Sequence, residues 1–206
     1  MDHERSSRSL GLQRWSTRWI SGLVTVIVVA SIAVAAIVVS GVHQDVPFTW
    51  QGPISAPITW HHVVTPAGTA ALSYPPMFRT VGSDPGSVSV AVGQGPRYVA
   101  YLNITPRQGN ERLQDFATFR VNLLRNDDAT RVHEDGVAQN LRFQGGVGSG
   151  VLDDYFTRVG HNHYREIAAL VTGRHGGWVI VGAALDTYYG RFRQLLQHAV
   201  GSFAVS

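Results

Sequence analysis

The sequence predicts an α+β domain, a mainly antiparallel sheet covered by helices, set behind one transmembrane helix. Three observations lead there. From Ile58 onward, short runs rich in Val, Thr, Tyr and Ala are broken by Gly, Pro and Asp at strand spacing. Two segments, near 110–125 and 187–200, carry apolar residues at a helical period instead. Residues 19–39 hold no charge at all.

The apolar segment comes first. At about 1.5 Å of rise per residue, about 20 residues cross a hydrocarbon core of about 30 Å, which residues 19–40 satisfy. Trp15 and Trp19 fall where an aromatic belt lies. Arg5, Arg8, Arg14 and Arg18 all precede the segment, and the first charge after it is Asp45. This asymmetry puts the N-terminus in the cytoplasm and the domain outside. The small-residue triplet Ala33-Val34-Ala35 lies inside the apolar run, not after it, which favours an uncleaved anchor over a removed signal. The chain thus divides into a cytoplasmic tail (1–18), a signal-anchor helix (19–40), a Pro- and Gly-bearing extracytoplasmic tether (41–57) and a globular domain (58–206). In the tether, Phe48 and Trp50 suit either the lipid interface or the first contacts of the domain.

Composition narrows the chemistry. With no cysteine there is no disulfide, thiolate metal site or cysteine nucleophile. Four arginines face Asp2 and Glu4 before the domain, leaving thirteen of the seventeen arginines against twelve of the fourteen carboxylates after it. A nearly neutral domain without a basic run is a poor match for nucleic acid.

Within the domain, breakers at Pro66-Ala67-Gly68, Pro75-Pro76, residues 82–86 and residues 93–96 separate strands near 58–64, 69–74, 78–82, 87–92 and 98–104, which reads as an antiparallel meander. Asn110 suits a helix cap and Glu111 the first turn. The helix runs to about Arg125 and buries Leu113, Phe116, Ala117, Leu123 and Leu124. Patterning is weaker over 129–145. It returns as strands over 149–159, 164–172 and 177–185, joined by hairpin turns and apolar on both faces, as in central strands. A second helix over 187–200 aligns Tyr189, Phe192, Leu196, Ala199 and Val200 in one stripe, continued by Phe203.

Chemistry-bearing residues do not converge. His161 and His163 sit in a turn, with Asp153, Asp154 and His175 expected nearer the other end of the sheet, so no third metal ligand joins them. His61 and His62 alternate in and out. Asp153 and Asp154 diverge across a strand, one solvated and one structural, which argues against a paired acid and base. Ser149 leads into a strand and does not form a nucleophile elbow. The sequence implies no catalytic residue, no cofactor and no metal. Arg120 is the exception to ordinary patterning. At 100° per residue it falls about 340° around from Leu113, inside the apolar stripe. Its head either snorkels to water or pairs with Asp153, Asp154 or Glu166 on the sheet beneath.

Residues 101–124 (YLNITPRQGNERLQDFATFRVNLL), 150–170 (GVLDDYFTRVGHNHYREIAAL) and the terminal SFAV, taken in this element order, resemble the PsbP/Mog-like fold. The chain is similar in particular to PsbP-like domains of actinobacterial cell-envelope (Lpq-type) lipoproteins, over most of 60–205. The absence of lysine fits a GC-rich coding genome of that kind. The chain departs from those lipoproteins in lacking a lipobox cysteine, as a helical anchor in the bacterial plasma membrane allows. The resemblance implies a three-layer α/β/α sandwich and a non-enzymatic binding or assembly role with a protein partner in the envelope. The alternative is a binding protein for an envelope lipid or small apolar ligand held between sheet and helix.

Overall fold

The computed structural model describes residues 50, 52–93 and 97–206. The expected membrane segment at 19–40 lies outside the described residues, as do the tail and Phe48. No helix among the described residues is long and apolar enough to cross a membrane.

Among these residues ten strands form two sheets, an α+β fold with a mainly antiparallel sheet and two helices. In chain order the strands are β1 (His61–Val64), β2 (Ala70–Tyr74), β3 (Arg79–Val81), β4 (Val88–Val92), β5 (Ala100–Pro106), β6 (Ala129–Phe143), β7 (Gly146–Thr157), β8 (His163–Gly173), β9 (Gly176–Leu185) and β10 (Ala204–Val205). The large sheet has the order β3-β4-β5-β9-β8-β7-β6, and the small one β1-β2-β10. The helices are α1 (Phe116–Leu123) and α2 (Asp186–Gly201).

Strand alternation explains where the helices go. Val151, Ala168 and Val181 lie side by side across β7, β8 and β9, and pack under Phe116 and Ala117 of α1. One residue along, Leu152 and Ile167 face the other way and join a cluster with Phe192, Leu196 and Val200 of α2. Each face of the central strands therefore meets its own helix, and both must be apolar. The small sheet packs on the α2 side, where Leu72, Phe203 and Val205 share that cluster.

Several expectations need correcting. The meander is split: Pro75-Pro76 ends β2, and the chain re-enters in the other sheet at β3. What pairs with β2 is β10, with Ala204 opposite Ala71 and Val205 opposite Ala70. A two-residue strand is too short to announce itself by period. Asn110 does not cap the first helix; a 3₁₀ turn over Leu113–Asp115 precedes α1, and Glu111 is buried, accepting the Gly109 N–H at 2.9 Å. After Leu123 the helix widens into a π turn, Leu124–Asp128. Asn and Asp compete for the backbone there and loosen the helix end. The weak region is a fifteen-residue strand, β6, with three register shifts. Bulges interrupt the two-residue period that sequence patterning relies on. In the tether, Trp50 packs on Phe143 with ring centroids 4.6 Å apart and donates its indole N–H to the Arg142 carbonyl at 3.2 Å. The Ile54 N–H reaches the Gly201 carbonyl at 3.1 Å.

The β6–β7 turn holds the C-terminal strand. Gln144 and Gly145 form a two-residue loop, Gly145 has φ +81, and the Val205 N–H donates to the Gln144 carbonyl at 2.9 Å. A Cβ at Gly145 would run into the Val205 carbonyl. Gly145→Ala is therefore expected to cost about 2 to 4 kcal/mol in denaturant unfolding of the full chain. A loss below about 0.5 kcal/mol would show that the turn and tail are not locked together.

Candidate functional site

The polar interior of the domain starts at Glu166, in the middle of β8 and fully buried. Its register neighbours are Asp153 on β7 and Ala183 on β9. Arg120 descends from α1 onto it: Nε donates to Oε1 at 2.7 Å and Nη2 to Oε2 at 2.9 Å, a two-pronged bond. Burial works against the guanidinium charge. The Glu166 carboxylate more than offsets this, and the net shift of the Arg120 pKa is upward.

Asp153 faces the same side and is 1% exposed, with neither carboxyl oxygen hydrogen-bonded. Burial first, and then the Glu166 charge, push its pKa well above the ordinary carboxylate range. Beside the ion pair its protonated form is favoured. Asp154 points to the opposite face, toward α2, and is buried too. The expectation of one solvated aspartate is thus corrected, because β7 is covered on both sides.

Asp154 also lies near His163, which the sequence placed at the far end of the sheet. Register pairs Phe156 with His163 and Asp154 with Arg165. The imidazole stacks on Phe156 at 4.3 Å, and its nitrogens lie 3.6 Å from Asp154 Oδ1 and 3.7 Å from Asp186 Oδ2. Arg165 Nε donates to Asp186 Oδ1 at 2.8 Å. His161 stays in the turn, exposed, with φ 47. His61 and His62 are both exposed, because β1 is an edge strand of the small sheet. Among the described residues no three His, Asp or Glu side chains gather to hold a metal.

Sequence reasoning missed the tyrosines. Tyr155 lies two residues from Asp153 and Tyr164 two from Glu166, so strand parity puts both on the α1 side, with Tyr101 of β5 beside them. That parity was the available signal. The Tyr101 and Tyr155 hydroxyls are 2.8 Å apart, and Tyr101 Oη donates to Glu166 Oε2 at 3.5 Å. Burial raises both phenol pKa values, with the Glu166 charge adding to it, so both stay protonated. Tyr164 stacks on Tyr155, meets Tyr101 edge-on, each at 5.9 Å, and donates to the Tyr98 carbonyl at 2.6 Å. These four tyrosines line an open cleft of about 400 Å³ together with Asp127 and Asp128 of the π turn and Thr157, Arg158 and Val159.

No family model and no curated protein sequence matches the chain. Among solved structures it is similar to the cyanobacterial PsbP protein (CyanoP) of a Synechocystis species, at 18% identity over 77% of this chain and 99% of that one, with a TM-score of 0.49. It is also similar to the Ran-binding protein Mog1p of Saccharomyces cerevisiae, at 13% identity, 71% and 95% coverage and a TM-score of 0.47. LpqN of Mycobacterium tuberculosis, involved in cell envelope biogenesis, is similar at 14% identity, 75% and 89% coverage and a TM-score of 0.43.

Two expectations follow from the buried cluster. Arg120→Ala leaves Glu166 buried without its cation, and should cost about 3 to 5 kcal/mol in denaturant unfolding. Arg120→Met combined with Glu166→Leu should recover most of that loss. A single-variant loss below about 1 kcal/mol would show that the pair is solvated.

For Asp153, the unfolded chain titrates near the ordinary value of 3.8, while the folded chain keeps its proton to higher pH. As pH rises between those two values the unfolded state binds fewer protons, so stability falls, by at most about 1.4 kcal/mol per pH unit. Asp153→Asn removes that slope. Its stability relative to the parent chain should grow from pH 5 to pH 8, and a difference that stays flat or shrinks would mean that Asp153 is already ionised in the fold.

Proposed function

We propose that the chain is a membrane-tethered, extracytoplasmic accessory of a bacterial cell envelope, working by binding and not by catalysis. The observation that carries the binding reading is the open tyrosine-lined cleft of about 400 Å³. Its size and its few oriented polar groups suit a small ligand. Its chemistry does not suit a reaction. The Thr157 hydroxyl is spent on the Val159 carbonyl at 2.8 Å, and the buried phenols Tyr101 and Tyr155 are pushed upward in pKa, away from use as bases. Among the described residues no hydroxyl of the cleft is hydrogen-bonded to the Asp127 or Asp128 carboxylate. The Arg120–Glu166 pair beneath serves the scaffold.

The uncharged run at 19–39 and the arginines before it support the tether and its orientation. The resemblance of residues 101–124 and 150–170 to PsbP-like envelope domains supports the setting. A protein partner is the second reading, favoured by the outer edge of β6, which among the described residues pairs with β7 alone.

Reporter fusions should place the C-terminus outside the cytoplasm. Native mass spectrometry of the full chain, gently extracted from its own membranes, should show a small-molecule adduct. Val159 is exposed and lines the cleft, so Val159→Trp should fill it and abolish the adduct without touching the core. A cytoplasmic C-terminus would refute the tether, and an adduct-free parent chain would refute the ligand-binding reading.

A further inference from the structure

We infer that the cleft takes a small organic cation, a methylated or alkyl ammonium group; this deepens the binding reading and rests on it. Four features point the same way. The first is the lining of Tyr98, Tyr101, Tyr155 and Tyr164, an aromatic wall of the kind that attracts a cation, in which Tyr155 and Tyr164 stack on each other.

The second is the direction of the hydroxyl chain. An ionised Glu166 can only accept, so the Tyr101 hydrogen points at it, 3.5 Å away. With that hydrogen committed, the Tyr155 hydroxyl is the donor in the 2.8 Å bond to Tyr101. The Tyr164 hydrogen goes to the Tyr98 carbonyl. The phenol hydrogens of Tyr101, Tyr155 and Tyr164, three of the four lining tyrosines, are therefore spent within the protein. Toward a ligand the oxygens of those three accept only, which favours one that donates or carries positive charge.

The third is the acidic rim. Asp127 and Asp128 are exposed at the C-terminal end of the α1–π turn. Among the described residues neither aspartate makes an ion pair. The fourth concerns the cation already there. Arg158 Nη2 donates to the carbonyls of Arg125, Asn126 and Ala129 at 3.1, 3.2 and 3.4 Å, so its charge is held against the turn and balances that helix end. Arg97 also acts electrostatically on Tyr164 from an exposed position, and the acidic rim has to outweigh it.

The test uses the full chain in an uncharged maltoside detergent, with ligand-observed NMR titration of three probes: choline, its uncharged carbon isostere dimethylbutanol, and inorganic phosphate. Choline should bind saturably and the isostere about tenfold more weakly. Asp127→Asn with Asp128→Asn should weaken choline about threefold or more, since both carboxylates are exposed and their removal leaves the core intact. Val159→Trp should abolish binding. Equal affinity for choline and its isostere, or binding of phosphate alone, would overturn the cation while leaving a binding cleft. No choline binding with the membrane-derived adduct still present would overturn it in the same way, whereas loss of both adduct and probe binding would take the binding reading with it.

Discussion

A carboxylate at the centre of a sheet that is covered on both faces must be answered from one of the covering layers, and Glu166 is answered by Arg120. The constraint is strict because Glu166 has no water to fall back on and Arg120 has little. It sets the rotation of α1, since the two-pronged bond is met only when Arg120 points down the same face as Phe116 and Ala117. It also sets the neighbours. Tyr101 turns its hydroxyl toward the same carboxylate, Tyr155 follows Tyr101, and the cleft wall is built outward from that chain.

The hairpin of β7 and β8 carries charges to both faces at once. Asp153 and Glu166 look toward α1, whereas Asp154 and Arg165, one position along on each strand, look toward α2 and its first residue, Asp186. A shift of one residue in pairing would exchange the two sets and leave Arg120 over the wrong carboxylate. Apolar alternation alone specifies register poorly here, because both faces are apolar. The paired charges supply the discrimination that the hydrophobic pattern lacks.

Much of the fold is legible in the sequence because strands and helices have different periods. The central strands stand out by being apolar on both faces, and α2 by its stripe from Phe192 to Val200. What escapes reading is non-local or interrupted. The pairing of β10 with β2 depends on a two-residue strand, the three shifts in β6 break its alternation, and the π turn depends on how Asn126, Asp127 and Asp128 compete for backbone partners. For the site, the helical period places Arg120 on the apolar stripe. Choosing among Asp153, Asp154 and Glu166 requires knowing which strand face each occupies. The same gap hid the tyrosines, which lie on separate segments and meet only through register, and it made one of Asp153 and Asp154 look solvated.

The short strand β10 bears on how the chain reaches this state. Ala204 pairs with Ala71 across most of the domain's length, so the β1–β2 hairpin cannot complete its sheet until nearly everything between has been made and placed. Closing so long a loop is entropically slow. Until then Leu72 and Tyr74, buried in the finished protein, remain uncovered in a half-built sheet with an unpaired edge. That interval is when a protease or a second copy of the hairpin can intercept the chain, so the kinetic vulnerability of the molecule is concentrated in its least conspicuous strand.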